Sequence, residues 1–175
     1  ELIADAKDPN SEHDFGKNII PKMMAEKKKM VAYTYHGYWK DVGTIASLHQ
    51  ANMDLLMSGD ASTNLYTVQG DHKIYSEDTH STPQYIGKNA KVKDSLINQG
   101  AIVKGSVDHC VISGETLIDE GATCVNAVIM NGAVIKSGAF VYDAIVGPDS
   151  LVDTNEKVNP ERDGIALVVN GKAAQ

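Results

Sequence analysis

The chain has 175 residues, 42% hydrophobic and 22% charged, a balance that suits a folded globular protein and excludes a disordered or collagen-like polymer. Its formal charge is -7, and neither half is basic, which argues against a nucleic-acid partner. No run approaches the roughly 18 consecutive apolar residues of a membrane helix, and Glu1 to Asp5 lacks the zones of a signal peptide, so the expectation is a cytoplasmic protein with no membrane partner. Cys110 and Cys124 have no zinc-type spacing and read as small buried residues.

Leu2, Ile3 and Ala4 read as the tail of a helix whose beginning is missing, so the chain is expected to be a fragment. After the loop Asp8-Pro9-Asn10-Ser11, Asp14 can cap a short helix holding Ile19, Ile20, Met23 and Met24, with Pro21 restricting it or marking its start. Met30 to Tyr35 alternates as a strand would. Next comes Gly37-Tyr38-Trp39-Lys40-Asp41-Val42-Gly43-Thr44, then Ile45, Leu48, Ala51, Asn52, Leu55 and Leu56 at helical spacing, with Thr44 as N-cap. Ser58-Gly59-Asp60 can end that helix. Gly70, Pro83 and many polar residues then mark 58–84 as a linker between a first domain, 1–57, and a second, 85–175.

The second domain repeats. An aliphatic residue followed four places later by a small one occurs at Ile86/Ala90, Ile97/Ala101, Ile112/Thr116, Ile118/Ala122, Ile129/Ala133, Ile135/Ala139 and Val146/Ser150. Ile112, Ile129 and Val146 stand 17 apart, as do Ile118, Ile135 and Val152, so steps of six, six and five make one coil of a three-sided parallel β-helix. Aliphatic residues then stack inside the prism, and Gly and Asn supply turns with positive φ. Roughly four coils give a rod near 20 Å long. Ile165 to Val169 is predicted as a last strand, closing one end or pairing with a neighbour.

The segments His13-Asp14-Phe15-Gly16-Lys17-Asn18-Ile19-Ile20-Pro21 and Gly37 to Thr44, with Ser47-Leu48, Ala51 to Leu56 and the hexapeptide repeats, resemble the glucose-1-phosphate adenylyltransferases, or ADP-glucose pyrophosphorylases. The resemblance implies the C-terminal α/β piece of a Rossmann-like nucleotidyltransferase domain followed by a left-handed β-helix, in a mainly β chain. It implies a tetramer, homo-oligomer or hetero-oligomer, making ADP-glucose and pyrophosphate from ATP and glucose 1-phosphate with magnesium, under allosteric control by phosphorylated sugars. The family's glycine-rich nucleotide loop, an N-terminal catalytic aspartate and a sugar-phosphate lysine have no counterpart in these residues, so this chain is expected to be inactive alone.

Asp41 is the candidate catalytic residue and magnesium ligand, because transfer between two anions needs a divalent cation that favours carboxylate oxygen. Spacing alone favours a simpler role as a brace for the following helix; the resemblance reverses that preference. Two residues earlier, Trp39 shares the face of an extended segment with Asp41, where its indole can pack against a sugar. The resemblance places Asp14, Phe15 and Trp39 at the glucose 1-phosphate site; Lys40 is given no role. Of the six histidines only His109 lies in the repeats, which excludes a three-histidine zinc site built there by one chain and leaves His109 as a turn residue or, in a hexapeptide acyltransferase, a general base. Lys22 and Lys27 to Lys29 read as a solvated face. A noncatalytic assembly subunit is a further alternative.

Overall fold

The structure, a computed structural model, describes residues 1–59, 62–69, 75, 79–169 and 172–174. Two compact units divide the chain, Glu1–His36 and Gly37–Gln175. In the first, α1 (Leu2–Asp5) precedes a π-helical turn, Phe15–Ile19, that runs into α2 (Ile20–Ala25). Asp14 caps this helix as expected, its carboxylate accepting the Lys17 N–H at 2.8 Å. Pro21 sits in the first turn of α2, directly after the π-helical turn. Lys28 pairs with Glu1 at 3.3 Å and Glu26 at 3.4 Å, on an exposed face as expected.

Met30 to Tyr35 is not a strand. Alternation alone cannot hold an extended segment, because its N–H and C=O groups need a neighbouring strand, and no strand among the described residues pairs with it. Val31 and Tyr33 are instead 84% and 87% exposed.

The second unit is a parallel β-helix. One face stacks β1 (Tyr85–Ile86), β4 (Ile102–Val103), β7 (Leu117–Ile118), β9 (Val134–Ile135) and β11 (Leu151–Val152). A second face holds β2 (Lys91–Lys93), β5 (Ser106–Asp108), the first parts of β8 (Thr123–Ile129) and β10 (Phe140–Val146), and β12 (Lys157–Val158). The third holds β3 (Leu96–Ile97), β6 (Val111–Ile112), the later parts of β8 and β10, and β13 (Ala166–Val169). β8 and β10 turn the corner unbroken at Asn126 and Asp143, whose φ angles are 50 and 43. The predicted last strand pairs with β10 in parallel and with β14 (Lys172–Ala174) antiparallel.

Register explains the core. Val103, Ile118, Ile135 and Val152 form one inward column, Val107, Cys124, Val141 and Val158 a second, and Ile112, Ile129, Val146 and Val168 a third, all buried. Small residues fill the corners, among them Ala101, Thr116, Ala133 and Ser150, as the repeat predicts. Cys110 and Cys124 are fully buried; burial pushes the Cys110 thiol up to about 11 and Cys124 also well up. A thiol reagent at pH 8 is therefore expected to label neither until the protein is unfolded, and rapid labelling of the folded chain would contradict this packing.

Coil length is not uniform. Val107, Cys124, Val141 and Val158 keep the predicted 17-residue step, but Val92 to Val107, Ile97 to Ile112 and Val103 to Ile118 each span 15. The two residues are lost at a single corner, between Val103 and Val107, where Gly105 lies.

The helix predicted from Thr44 onward is α3 (Ile45–Met53), capped by Thr44 and Ser47 in a reciprocal pair of bonds. It ends earlier than Ser58-Gly59-Asp60, because Leu56 turns inward at 1% exposed and packs with Met53 on the outer side of the third face, against Val128 and Ile145. Within the expected linker, α4 (Leu65–Gln69) is attached by the Leu65 N–H to the Leu55 carbonyl at 2.9 Å. Asp60, Gly70 and His72 lie outside the described residues.

At the β8–β10 corner, the Arg162 guanidinium binds both oxygens of Asp143, and Asn126 Nδ2 donates to the same carboxylate. Arg162 first and then Asn126 hold the Asp143 carboxyl below the usual range against the opposing effect of burial. This contribution is present above the ordinary carboxylate range and is lost as pH falls through the lowered folded value. Arg162→Ala is expected to lower stability only modestly at pH 7, because the guanidinium is half exposed. Urea midpoints at pH 7 and pH 3 should show the difference from the parent chain shrinking at the lower pH.

Candidate functional site

The four predicted site residues fall as two neighbouring pairs, one in each unit. In the first, Asp14 is committed to the cap, and its own N–H donates to Asn18 Oδ1 at 3.2 Å. Phe15 is 60% exposed and borders an apolar groove of about 420 Å³ with Leu2, Ile3, Ile19 and Met23. Behind it the buried Asp5 carboxylate accepts from Ser11 Oγ at 2.7 Å and His13 Nδ1 at 3.1 Å, which hold it below the usual carboxylate range.

Trp39 and Asp41 are presented by an alternation that the second unit anchors. Tyr38 donates its hydroxyl to Asp54 Oδ2 at 3.1 Å, and Lys40 Nζ reaches the same oxygen at 2.9 Å. Gln50 Nε2 occupies the other oxygen at 2.8 Å. Burial is the largest single influence on the Asp54 carboxyl and raises it, but Gln50, Lys40 and Tyr38 together outweigh it and hold it below its ordinary value. With residues 38 and 40 tied to α3's end, 39 and 41 are left to solvent: Trp39 is 76% exposed and Asp41 is also exposed. Asp41 Oδ1 accepts the Gly43 N–H at 3.1 Å, a local turn bond just ahead of the Thr44 cap rather than a bond to the helix itself. Oδ2 accepts no bond from the described residues.

That carboxylate suits one ligand position of a hydrated magnesium ion, which takes one or two carboxylates and keeps several waters. Among the described residues no three His, Cys, Asp or Glu side chains gather into a fuller metal cage. His109 is a corner residue with φ 54, its Nδ1 bonded to Asp94 Oδ2 at 2.8 Å. Ser58 and then His109 hold the Asp94 carboxyl below its ordinary range.

Sequence reading missed the anchor formed by Tyr38, Lys40 and Asp54. Its only local trace is the period of two from 38 to 41, since Asp54 lies a loop and a helix away.

Comparison with known proteins matches residues 1–58 to the nucleotidyl transferase family and residues 80–169 to the GlmU-like C-terminal hexapeptide family. Proteins named glucose-1-phosphate adenylyltransferase from Bacillus thuringiensis (strain Al Hakam) and Bacillus anthracis are each 41% identical over 173 residues, 98% of this chain. The chain belongs to the GlmU-like hexapeptide family, and over nearly its whole length it is similar to proteins named glucose-1-phosphate adenylyltransferase. It spans 45% of the length of these relatives, as it does of the 40% identical protein of that name from Bacillus mycoides (strain KBAB4). Both family matches keep the order expected from the sequence, nucleotidyltransferase before hexapeptide repeats, and no helix among the described residues is long and apolar enough to cross a membrane.

Proposed function

We propose that this chain is the C-terminal part of an ADP-glucose pyrophosphorylase, joining ATP and glucose 1-phosphate into ADP-glucose and pyrophosphate for glycogen synthesis in the cytoplasm. The carrying observation is the exposed pair Trp39 and Asp41, held outward while Tyr38 and Lys40 are tied down. In this reading Trp39 packs its indole against the glucose ring, Asp14 and Phe15 contribute to sugar-phosphate binding, and Asp41 is the carboxylate that holds magnesium. Magnesium, when bound, supplies charge neutralisation between two anionic substrates. The domain division at 57 and 85 belongs to the same proposal, with 1–57 completed by an N-terminal nucleotide-binding half. Support for that completion is the thin core of the first unit, where Ile19 is the buried apolar residue among those described.

The experiment is ADP-glucose pyrophosphorolysis by this chain alone and mixed with a separately expressed N-terminal half of a relative. Activity only in the mixture is expected; activity of the chain alone, or none in a mixture of folded halves, would defeat the reading. A hexapeptide acyltransferase leaves the Trp39-Asp41-Gly43 segment without a task and predicts coenzyme A binding that His109→Ala would abolish.

The proposed assembly is a homo-oligomer, or one shared with a paralogous subunit. Tyr85, Ile102, Leu117, Val134 and Leu151 stand in register on the outer side of the first face, an apolar stripe about 19 Å long at strand spacing. Beside it runs the row Lys104, Asp119, Lys136, Asp153, paired internally at 3.3 and 2.9 Å. Two such rows brought together antiparallel oppose unlike charges at every position, which favours a second copy as occupant. Leu117→Lys is expected to shift sedimentation at tens of micromolar toward monomer; an unchanged oligomer would remove this face from the assembly.

A further inference from the structure

We infer that His49 is a positioning residue, which fixes α3 on the β-helix and through α3 fixes the presentation of Trp39 and Asp41. The residue is 3% exposed, and Nε2 lies 2.8 Å from the Asn126 carbonyl oxygen, 77 residues along the chain. A carbonyl can only accept, so Nε2 carries the proton. The acceptor is itself immobilised, since Asn126 sits at the β8–β10 corner with positive φ and its side chain is bonded to the Asp143 carboxylate that Arg162 clamps. A second tie lies on the same column of corner residues, where the Ser58 hydroxyl bonds Asp94, the partner of His109. Between these ties Met53 and Leu56 pack on Val128 and Ile145.

Apolar packing on a column of Leu96, Val111, Val128, Ile145 and Leu167 tolerates sliding, because each rung resembles the next. The His49 bond does not tolerate it: one donor meets one carbonyl at one coil. The register it sets passes along α3 to Asp54, whose carboxylate receives Tyr38 and Lys40 on either side of Trp39. The consequence for sugar-phosphate binding rests on the function proposed above, but the mechanical claim does not.

Trp39 is the single tryptophan, so its fluorescence reports the segment directly. In this chain, His49→Leu is expected to lower Trp39 anisotropy and to raise amide exchange over 45–53 by about tenfold, as loss of a buried hydrogen bond implies, with the strands of the β-helix still protected. His49→Gln, which keeps a donor, should restore most of both signals. Asp54→Ala cuts the other end of the path and should lower Trp39 anisotropy while leaving exchange over 45–53 near the parent value. Unchanged anisotropy in a folded His49→Leu chain would overturn the inference. So would loosening that spreads equally through the β-helix, or an Asp54→Ala chain whose Trp39 stays as rigid as the parent. None of these readouts depends on catalysis, so failure of the proposed activity leaves the test intact.

Discussion

Asp41→Ala in the full-length enzyme proposed above is expected to lower turnover about 10² to 10³-fold while leaving assembly and the β-helix intact, the usual scale for losing a group that stabilises charge in the transition state. The residue has one bond in the structure and a second duty proposed for it, which this substitution alone would confuse. Oδ1 accepts the Gly43 N–H at 3.1 Å and steadies the turn into α3; the charge on the carboxylate is the proposed magnesium ligand. Asp41→Asn separates them, because an amide oxygen can still accept from Gly43 but carries no charge. If the brace were the whole role, Asn would behave as the parent and Ala would cost about 0.5–1 kcal/mol of stability with turnover nearly normal. If the charge matters, Asn and Ala fall together in turnover while only Ala loses stability. Steady-state kinetics and thermal melts on the two variants decide between these patterns.

The parts legible in the sequence were those written in short-range periodicity. Ile112, Ile129 and Val146 recur because each coil must return the same side chain to the same inward column, so spacing alone disclosed the β-helix. Thr44 and Asp14 were legible as caps because a cap is a bond across three residues. Met30 to Tyr35 misled for the opposite reason: a strand exists only with its partner, and alternation carries no information about whether one is present. Trp39 and Asp41 were singled out by resemblance and by the two-residue period, but the anchor on Asp54 and the His49 bond to Asn126 join residues far apart in the chain, and nothing local announces them.

The shortened corner was hidden by the same logic, and it makes the sharpest stability prediction. Counting aliphatic and small residues four apart skips the unit at Val103 and Val107, since these are both inward strand residues brought within four of each other by the missing pair. To close that corner the backbone at Gly105 presses against the coil above: a Cβ there would lie 2.8 Å from the Asp119 carbonyl oxygen and closer still to that of Ala122. Those are backbone carbonyls of the turn at the equivalent corner, already bonded to the Ser106 and Ala122 N–H groups, and cannot swing aside as a side-chain tip would. Gly105→Ala is therefore expected to cost about 3 kcal/mol, at the upper end for overpacking. Gly164→Ala is the control. There φ is +63 with nothing within 4 Å of an added Cβ, so only the backbone penalty of about 1–2 kcal/mol applies. A second variant tests the cause directly. Inserting two residues between Lys104 and Gly105 restores the six-residue step found at the equivalent corners, and should recover much of the loss in Gly105→Ala because the carbonyls are no longer forced onto that position. Equal destabilisation of the two glycine variants, or no rescue by the insertion in a folded chain, would mean that the close approach at Gly105 is not what limits the corner.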